Sequence, residues 1–209
     1  MNGSHEPESE LLMRCAAGDG EAIDTILSQY RSRVKNMVAI RIDKRLAARV
    51  DPSDIVQEAL TDAAQKLPEY CSQPPLPFYP WLRQLALERL IRQHRRHIGA
   101  QGRSVTREED DGQALPDHSA LLLADRIIAS GTSPSVGLMR KELKQRVQRM
   151  LDQMAAADRE VLVLRFLEQL SVSDTAAILG LTADGVKSRQ RRALERFSSL
   201  LDDSSSGDP

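Results

Sequence analysis

The sequence predicts an all-α chain built from two small helical domains, and three observations carry that prediction. Seven aromatic residues in 209 are too few for a large sandwich or barrel. Leu, Ala, Arg, Glu and Gln, all strong helix formers, dominate the composition. Apolar residues recur at steps of three and four in two stretches, separated by a Gly-, Pro- and acid-rich segment.

In chain order, residues 1–9 are polar and acidic and are expected to be disordered, and helices fill residues 8–70 with breaks at Gly18-Asp19-Gly20 and Asp51-Pro52-Ser53. Ile23, Ile26, Leu27, Tyr30, Val34, Met37 and Val38 mark one buried face. Asp51 can cap the next helix, with Pro52 in its first turn, where a missing N–H costs nothing. That helix turns Ile55, Val56, Ala59, Leu60 and Ala63 inward and is expected to end at Leu67-Pro68. The proline-rich stretch 73–80 reads as a loop leading to Trp81, and residues 81–97, without Gly or Pro, as a long helix.

Residues 99–135 read as a linker, holding the acidic run Glu108–Asp111 and a short docking helix around Leu121–Ile128. After it Leu143, Val147, Met150, Leu151 and Met154 mark one helix, and a second runs from Asp158 to Glu168. Ser171 or Ser173 starts a third, ended by Gly180, and Thr182 caps a fourth that runs to about Leu201. The domains are thus about 10–98 and 136–201, with residues 202–209 an expected disordered tail.

A formal net charge of −1 excludes a globally basic nucleic-acid coat but not local basic faces. The acidic start is unlike a signal peptide, and no apolar run approaches the ~20 residues of a membrane span. Cys15 and Cys71 stand far apart without metal-ligand spacing around either, which fits a reducing cytoplasm. No nucleophile–base pair, phosphate loop or carboxylate constellation suggests catalysis, and no cofactor is implied. His94 and His97 lack a third metal ligand, and their neighbouring arginines repel a cation.

Three segments could carry function. The last two helices have helix-turn-helix syntax. At 100° per residue Val186, Ala193, Leu194, Phe197 and Leu201 fall within an arc of about 100°, leaving Lys187, Arg189, Arg191, Arg192 and Arg196 outside it. An apolar stripe inward and cations outward suit the major groove. Residues 83–107 hold seven arginines against Glu88, and Phe78, Tyr79 and Trp81 come immediately before. Aromatics beside arginines can stack unpaired bases and hold phosphates; equally, they can anchor a core. Asp51, Asp54, Glu58 and Asp62, with Gln57 among them, form a negative stripe on one helix, fit either for solvent or for a basic protein surface.

Taken together these segments resemble ECF (extracytoplasmic function) sigma factors, compact initiation subunits of bacterial RNA polymerase. Asp51-Pro52-Ser53-Asp54-Ile55-Val56-Gln57-Glu58-Ala59 resembles the polymerase-binding helix of region 2, and Phe78 to Ala86 the promoter-melting segment after it. Asp158 to Phe166 and Ile178 to Arg189 resemble region 4. The resemblance implies that Asp51, Asp54, Gln57 and Glu58 meet the β′ clamp helices of core polymerase. It implies that Phe78, Tyr79, Trp81, Arg89, Arg92, Arg95 and Arg96 contact and open the minus-ten element of promoter DNA. Thr182, Asp184, Lys187, Ser188, Arg189, Arg191 and Arg192 would read the minus-thirty-five element. An anti-sigma factor is a further implied partner. The chain departs from the family at Glu88, Arg92, Thr175, Gly185 and Gln190, and its linker is long.

A relaxed 37-residue linker spans roughly 35 Å. The two promoter elements lie ~85 Å apart, so polymerase is expected to hold the linker stretched, with Glu108–Asp111 along a basic channel. The alternatives are a stand-alone helix-turn-helix regulator with a sensing or dimerising N-terminal domain, and a helical interaction protein whose arginines are merely solvated.

Overall fold

The computed structural model describes residues 7–97 and 154–205, with side chains up to Arg196, and between these stretches Pro116, Ser119, Leu122, Leu123, Arg126 and Leu151. The chain divides into two units, Met1–Gly112 and Gln113–Pro209, and every described element is helical. Most of the expected linker, the helix through Leu143–Met150 and residues 206–209 lie outside the described residues. In the expected docking helix Leu123 is buried and Leu122 exposed.

The first unit contains α1 (Glu8–Ala16), α2 (Gly20–Arg41), α3 (Lys44–Ala47), α4 (Pro52–Ser72) and α5 (Phe78–His97). The N-caps follow the sequence. Asp19 accepts from the N–H groups of Glu21 and Ala22, Asp43 from that of Arg45, and Asp51 from that of Ser53. The left-handed Gly18 (φ 82°) turns the chain between α1 and α2. Arg14 donates to Asp19 and holds its carboxyl below the ordinary range, so the cap stays ionised. α4 packs against α1, α2 and α5, burying Leu11, Ile26, Val34, Met37, Ile55, Ala59, Leu67, Phe78 and Leu82. Each large side chain removed from water adds ~1.5–3 kcal/mol.

α1 begins at Glu8, where the helical reading of residues 8–70 starts. Two boundaries in this unit differ from expectation. α4 runs through Pro68 to Ser72. A proline inside a helix costs ~3 kcal/mol, but stopping at Leu67 would forfeit the packing of Tyr70, which is buried and donates to the Leu76 carbonyl at 3.0 Å. α5 begins at Phe78 rather than Trp81, because Pro80 in the first turn has no orphan N–H to satisfy.

The second unit contains α6 (Ala156–Leu162), a π-helical turn (Val163–Leu167), α7 (Val172–Leu179) and α8 (Ala183–Ser205). The segment expected as one helix from Asp158 starts two residues earlier and widens, with the Glu168 N–H bonding five residues back to Val163 at 3.0 Å. α8 continues past Leu201 into the expected tail, since no Gly or Pro interrupts it before Gly207.

Candidate nucleic-acid and polymerase interfaces

The helix-turn-helix forms as its residues dictate. Ser171 caps α7 by accepting from the Asp174 N–H at 2.9 Å. Gly180 ends it in the left-handed region (φ 62°), and the Leu181 N–H reaches back to the Ala176 carbonyl at 2.9 Å. Thr182 then caps α8, its Oγ1 accepting from the Gly185 N–H at 3.0 Å. A Cβ on residue 185 would lie 3.1 Å from that oxygen, so glycine here lets the cap close. Val161, Ala176 and Val186 form the core joining the three helices, with Val172, Leu179 and Leu181 packed on it. Two expected departures from the family find partners: buried Thr175 donates to the Ser171 carbonyl at 2.8 Å, and Gln190 accepts from Arg165 Nε at 3.2 Å.

With Val186 and Ala193 inward, α8 leaves Thr182, Asp184, Lys187, Arg191 and Arg192 exposed and Ser188 half-buried. Lys187 pairs with Asp184 at 3.4 Å and Arg191 with Glu195 at 3.6 Å. Surface pairs of this kind hold only ~0.2–0.5 kcal/mol each, so both cations remain available to a phosphate. Arg189 is different. It is half-buried and lies 3.4 Å from Asp158 of α6, on the flank of α8 rather than its outward face. Beside that face Val172 and Leu194 floor an open groove of about 570 Å³, rimmed by Arg165, Lys187, Gln190, Arg191 and Glu195.

In the first unit the aromatic residues are core. Phe78, Tyr79 and Trp81 are 2%, 4% and 8% exposed. Phe78 lies 5.2 Å from Tyr30, 5.6 Å from Tyr70 and 5.7 Å from Trp81, ring centre to ring centre. Tyr79 stacks on Tyr30 at 5.9 Å, and the Arg33 guanidinium covers it at 3.7 Å. Of the two readings open for these side chains, burial supports the core; they present no face on which a base could stack.

Arg89 is likewise committed internally. Its Nε donates to Asp62 at 2.5 Å, and a second nitrogen reaches Glu58 at 3.3 Å. Gln93 also donates to Glu58, at 3.4 Å. Arg89 and Glu58 therefore join α4 to α5 in this structure, besides the roles expected for them at DNA and at polymerase. Arg92, Arg95 and Arg96 are exposed. Asp51 serves as a cap, and Gln57 accepts from Arg31 at 2.9 Å. Asp54 is exposed and, among the described residues, has no such partner.

Sequence periodicity missed the partners drawn from α2, Arg31 and Arg33, and a run of cations at 41–49. Local charge density in Arg41, Lys44, Arg45 and Arg49 against Asp43 could have flagged the latter.

The Asp62–Arg89 pair makes a pH prediction. The hydrogen bond from Arg89 holds the Asp62 carboxyl below its ordinary value. A lowered folded-state value means stability that is complete above the ordinary aspartate range near ~4 and is lost as pH falls through the folded value. Urea unfolding of Asp62→Asn should show a deficit at neutral pH that shrinks at pH ~3; a constant deficit would contradict the assignment.

An all-helical chain of two units, one a helix-turn-helix with a cationic outward face, defines a DNA-binding transcription protein. Residues 144–197 match the family "Sigma-70, region 4". The chain is 25% identical over 198 residues to the RNA polymerase sigma-H factor of Pseudomonas aeruginosa, covering 95% of each chain. It is 27% identical over 185 residues to the ECF RNA polymerase sigma-E factor of Escherichia coli, covering 88% of this chain and 89% of that one. Its fold matches CnrH, solved in complex with the cytosolic domain of CnrY, with a TM-score of 0.50 and 23% identity over 92% of this chain and 95% of CnrH. The chain is thus similar, over most of its length, to sigma factors of the ECF group of the sigma-70 family. These likenesses support its function as a sigma factor, a transcription-initiation subunit that acts with RNA polymerase at promoters. No helix among the described residues is long and apolar enough to cross a membrane.

Proposed function

We propose that residues 10–98 dock on core polymerase and engage the minus-ten element, that 99–135 link the domains, and that 136–201 read the minus-thirty-five element. The observation that carries this reading is the outward face of α8, where Lys187, Ser188, Arg191 and Arg192 project from a capped helix-turn-helix within the region-4 match. Docking falls to Asp54 and Gln57, the two members of the acidic stripe not tied between α4 and α5 or spent on a cap; they would face the β′ clamp helices. Arg92, Arg95 and Arg96 supply cations for the minus-ten strand, while the buried aromatics support α5 from behind.

The chain acts in the cytoplasm as a recruiting subunit and performs no covalent chemistry itself. An anti-sigma factor is a second partner, a reading supported by the family resemblance and by the likeness in fold to CnrH, which was solved with the cytosolic domain of CnrY.

Co-purification with bacterial core RNA polymerase tests the docking. Asp54→Ala with Gln57→Ala should weaken core binding about tenfold or more, a loss of ~1.4 kcal/mol, without lowering the unfolding midpoint by more than a few degrees. Unchanged core affinity would refute the assignment. Specific duplex binding without any polymerase binding would favour the stand-alone regulator instead.

A further inference from the structure

Outside the two surfaces already described, the first unit gathers a second set of cations where α3 and its following turn meet the end of α5. Residues 41–49 hold Arg41, Lys44, Arg45 and Arg49 against Asp43 alone, and residues 92–97 hold Arg92, Arg95 and Arg96 with no acid. α3 packs against α5. The junction is closed by Arg49, whose guanidinium donates to the His97 carbonyl at 2.8 Å. A cation there also answers the exposed carbonyls and negative dipole end of α5.

The single acid in the cluster is already engaged. Asp43 caps α3 and accepts from Arg45 Nε at 3.1 Å. Its carboxyl is held below the ordinary range chiefly by the hydrogen bond from Arg45. Lys44, Arg45, Arg49, Arg92, Arg95 and Arg96 are all exposed. Such a concentration of like charge opposes folding through self-repulsion, and nothing in the core requires it. Compact ammonium and guanidinium groups spread over two elements match the spaced charges of a phosphate backbone rather than a base edge.

We propose that Lys44, Arg45 and Arg49, together with the end of α5, form a sequence-independent binding surface for the phosphate backbone of duplex DNA. The surface extends the DNA contacts of the first unit beyond α5 onto the α2–α4 connection. It rests on the reading of Arg92, Arg95 and Arg96 as promoter contacts, and supplies affinity and register while base reading is done elsewhere.

The test uses the full chain and a labelled duplex of random sequence, titrated between about 50 and 200 mM salt. Lys44→Gln with Arg45→Gln leaves the Asp43 cap and the Arg49 contact in place. The double variant should bind about five- to tenfold more weakly at the lower salt. The slope of log affinity against log salt should become shallower by about one to two, at ~0.9 for each phosphate that is no longer neutralised. Thermal melting and core-polymerase binding should match the parent. An unchanged affinity and slope overturns the proposal, as does a loss of core binding, which would make the patch a protein contact.

Arg191→Gln on α8 separates the two readings. If it weakens duplex binding while the Lys44/Arg45 variant does not, the patch alone fails. If neither variant changes a salt-dependent affinity, the DNA-contact assignments of both units fail together.

Discussion

Phe78→Ala should destabilise the first unit by ~3–5 kcal/mol, the usual cost of emptying a buried phenylalanine site. The ring is 2% exposed and is held by Tyr30 of α2, Tyr70 of α4 and Trp81 of α5 itself. Each aromatic pair adds ~0.5–1.5 kcal/mol beyond area burial, and three helices are deprived of a shared anchor at once. The cavity has little chance to collapse, because Leu67 and Leu82, also fully buried, are set by the same helices. Urea unfolding followed by circular dichroism measures the loss. Trp81→Phe keeps most of the volume and the packing on Tyr70, whose ring centre lies 4.4 Å away, and should cost less than ~1.5 kcal/mol. A stable Phe78→Ala protein, within ~1 kcal/mol of the parent but unable to open promoters, would overturn the core assignment and return the aromatic to the DNA.

What the sequence made legible was local chemistry. Asp51 and Thr182 cap the helices that they precede, Ser171 (one of the two serines offered) caps α7, and Gly180 takes the left-handed position. Each signal acts within four residues, so it needs no knowledge of the fold. What stayed open or was missed depends mostly on partners distant along the chain. Phe78 and Tyr79 could read either as a stacking platform or as core, because Tyr30, nearly fifty residues earlier, is invisible to a periodicity argument. Glu58 and Arg89 each looked exposed on their own helix, and only the packing of α4 on α5 makes them partners. Pro68 reads as a helix stop unless Tyr70 is known to be buried beyond it. The π-helical turn at Val163–Leu167 has no single-residue signature; it places Arg165, which donates to both the Leu170 carbonyl and Gln190.

The site was legible to the same depth. The outward face of α8 followed from the 100° wheel because one buried stripe fixes the whole helix. The wheel put Arg189 with the readers, since it lies outside the apolar arc, and could not show that α6 brings Asp158 alongside it.

Arg192→Ala should weaken binding of polymerase holoenzyme to its own promoters by ~1–3 kcal/mol, about 5- to 150-fold, where Arg192 reads a base edge. The side chain is exposed on α8, and its loss uncovers no buried partner, so the unfolding midpoint should stay within a degree or two. Arg189→Ala should behave differently. Its half-buried guanidinium sits against the half-buried Asp158, and removing it leaves a carboxylate partly shielded from water, so a stability loss of ~1–3 kcal/mol should accompany any loss at DNA. Asp158→Asn decides what the pair is for. Released from its partner, Arg189 should gain freedom to reach phosphate, giving equal or tighter DNA binding together with a lower unfolding midpoint. Should Asp158→Asn instead weaken promoter binding as much as Arg192→Ala, Asp158 would be the group that aims Arg189 at the duplex. An equal loss from Arg192→Ala on every duplex sequence would make Arg192 a phosphate contact, and base reading would fall to Lys187, Ser188 and Arg191, which share its face of α8.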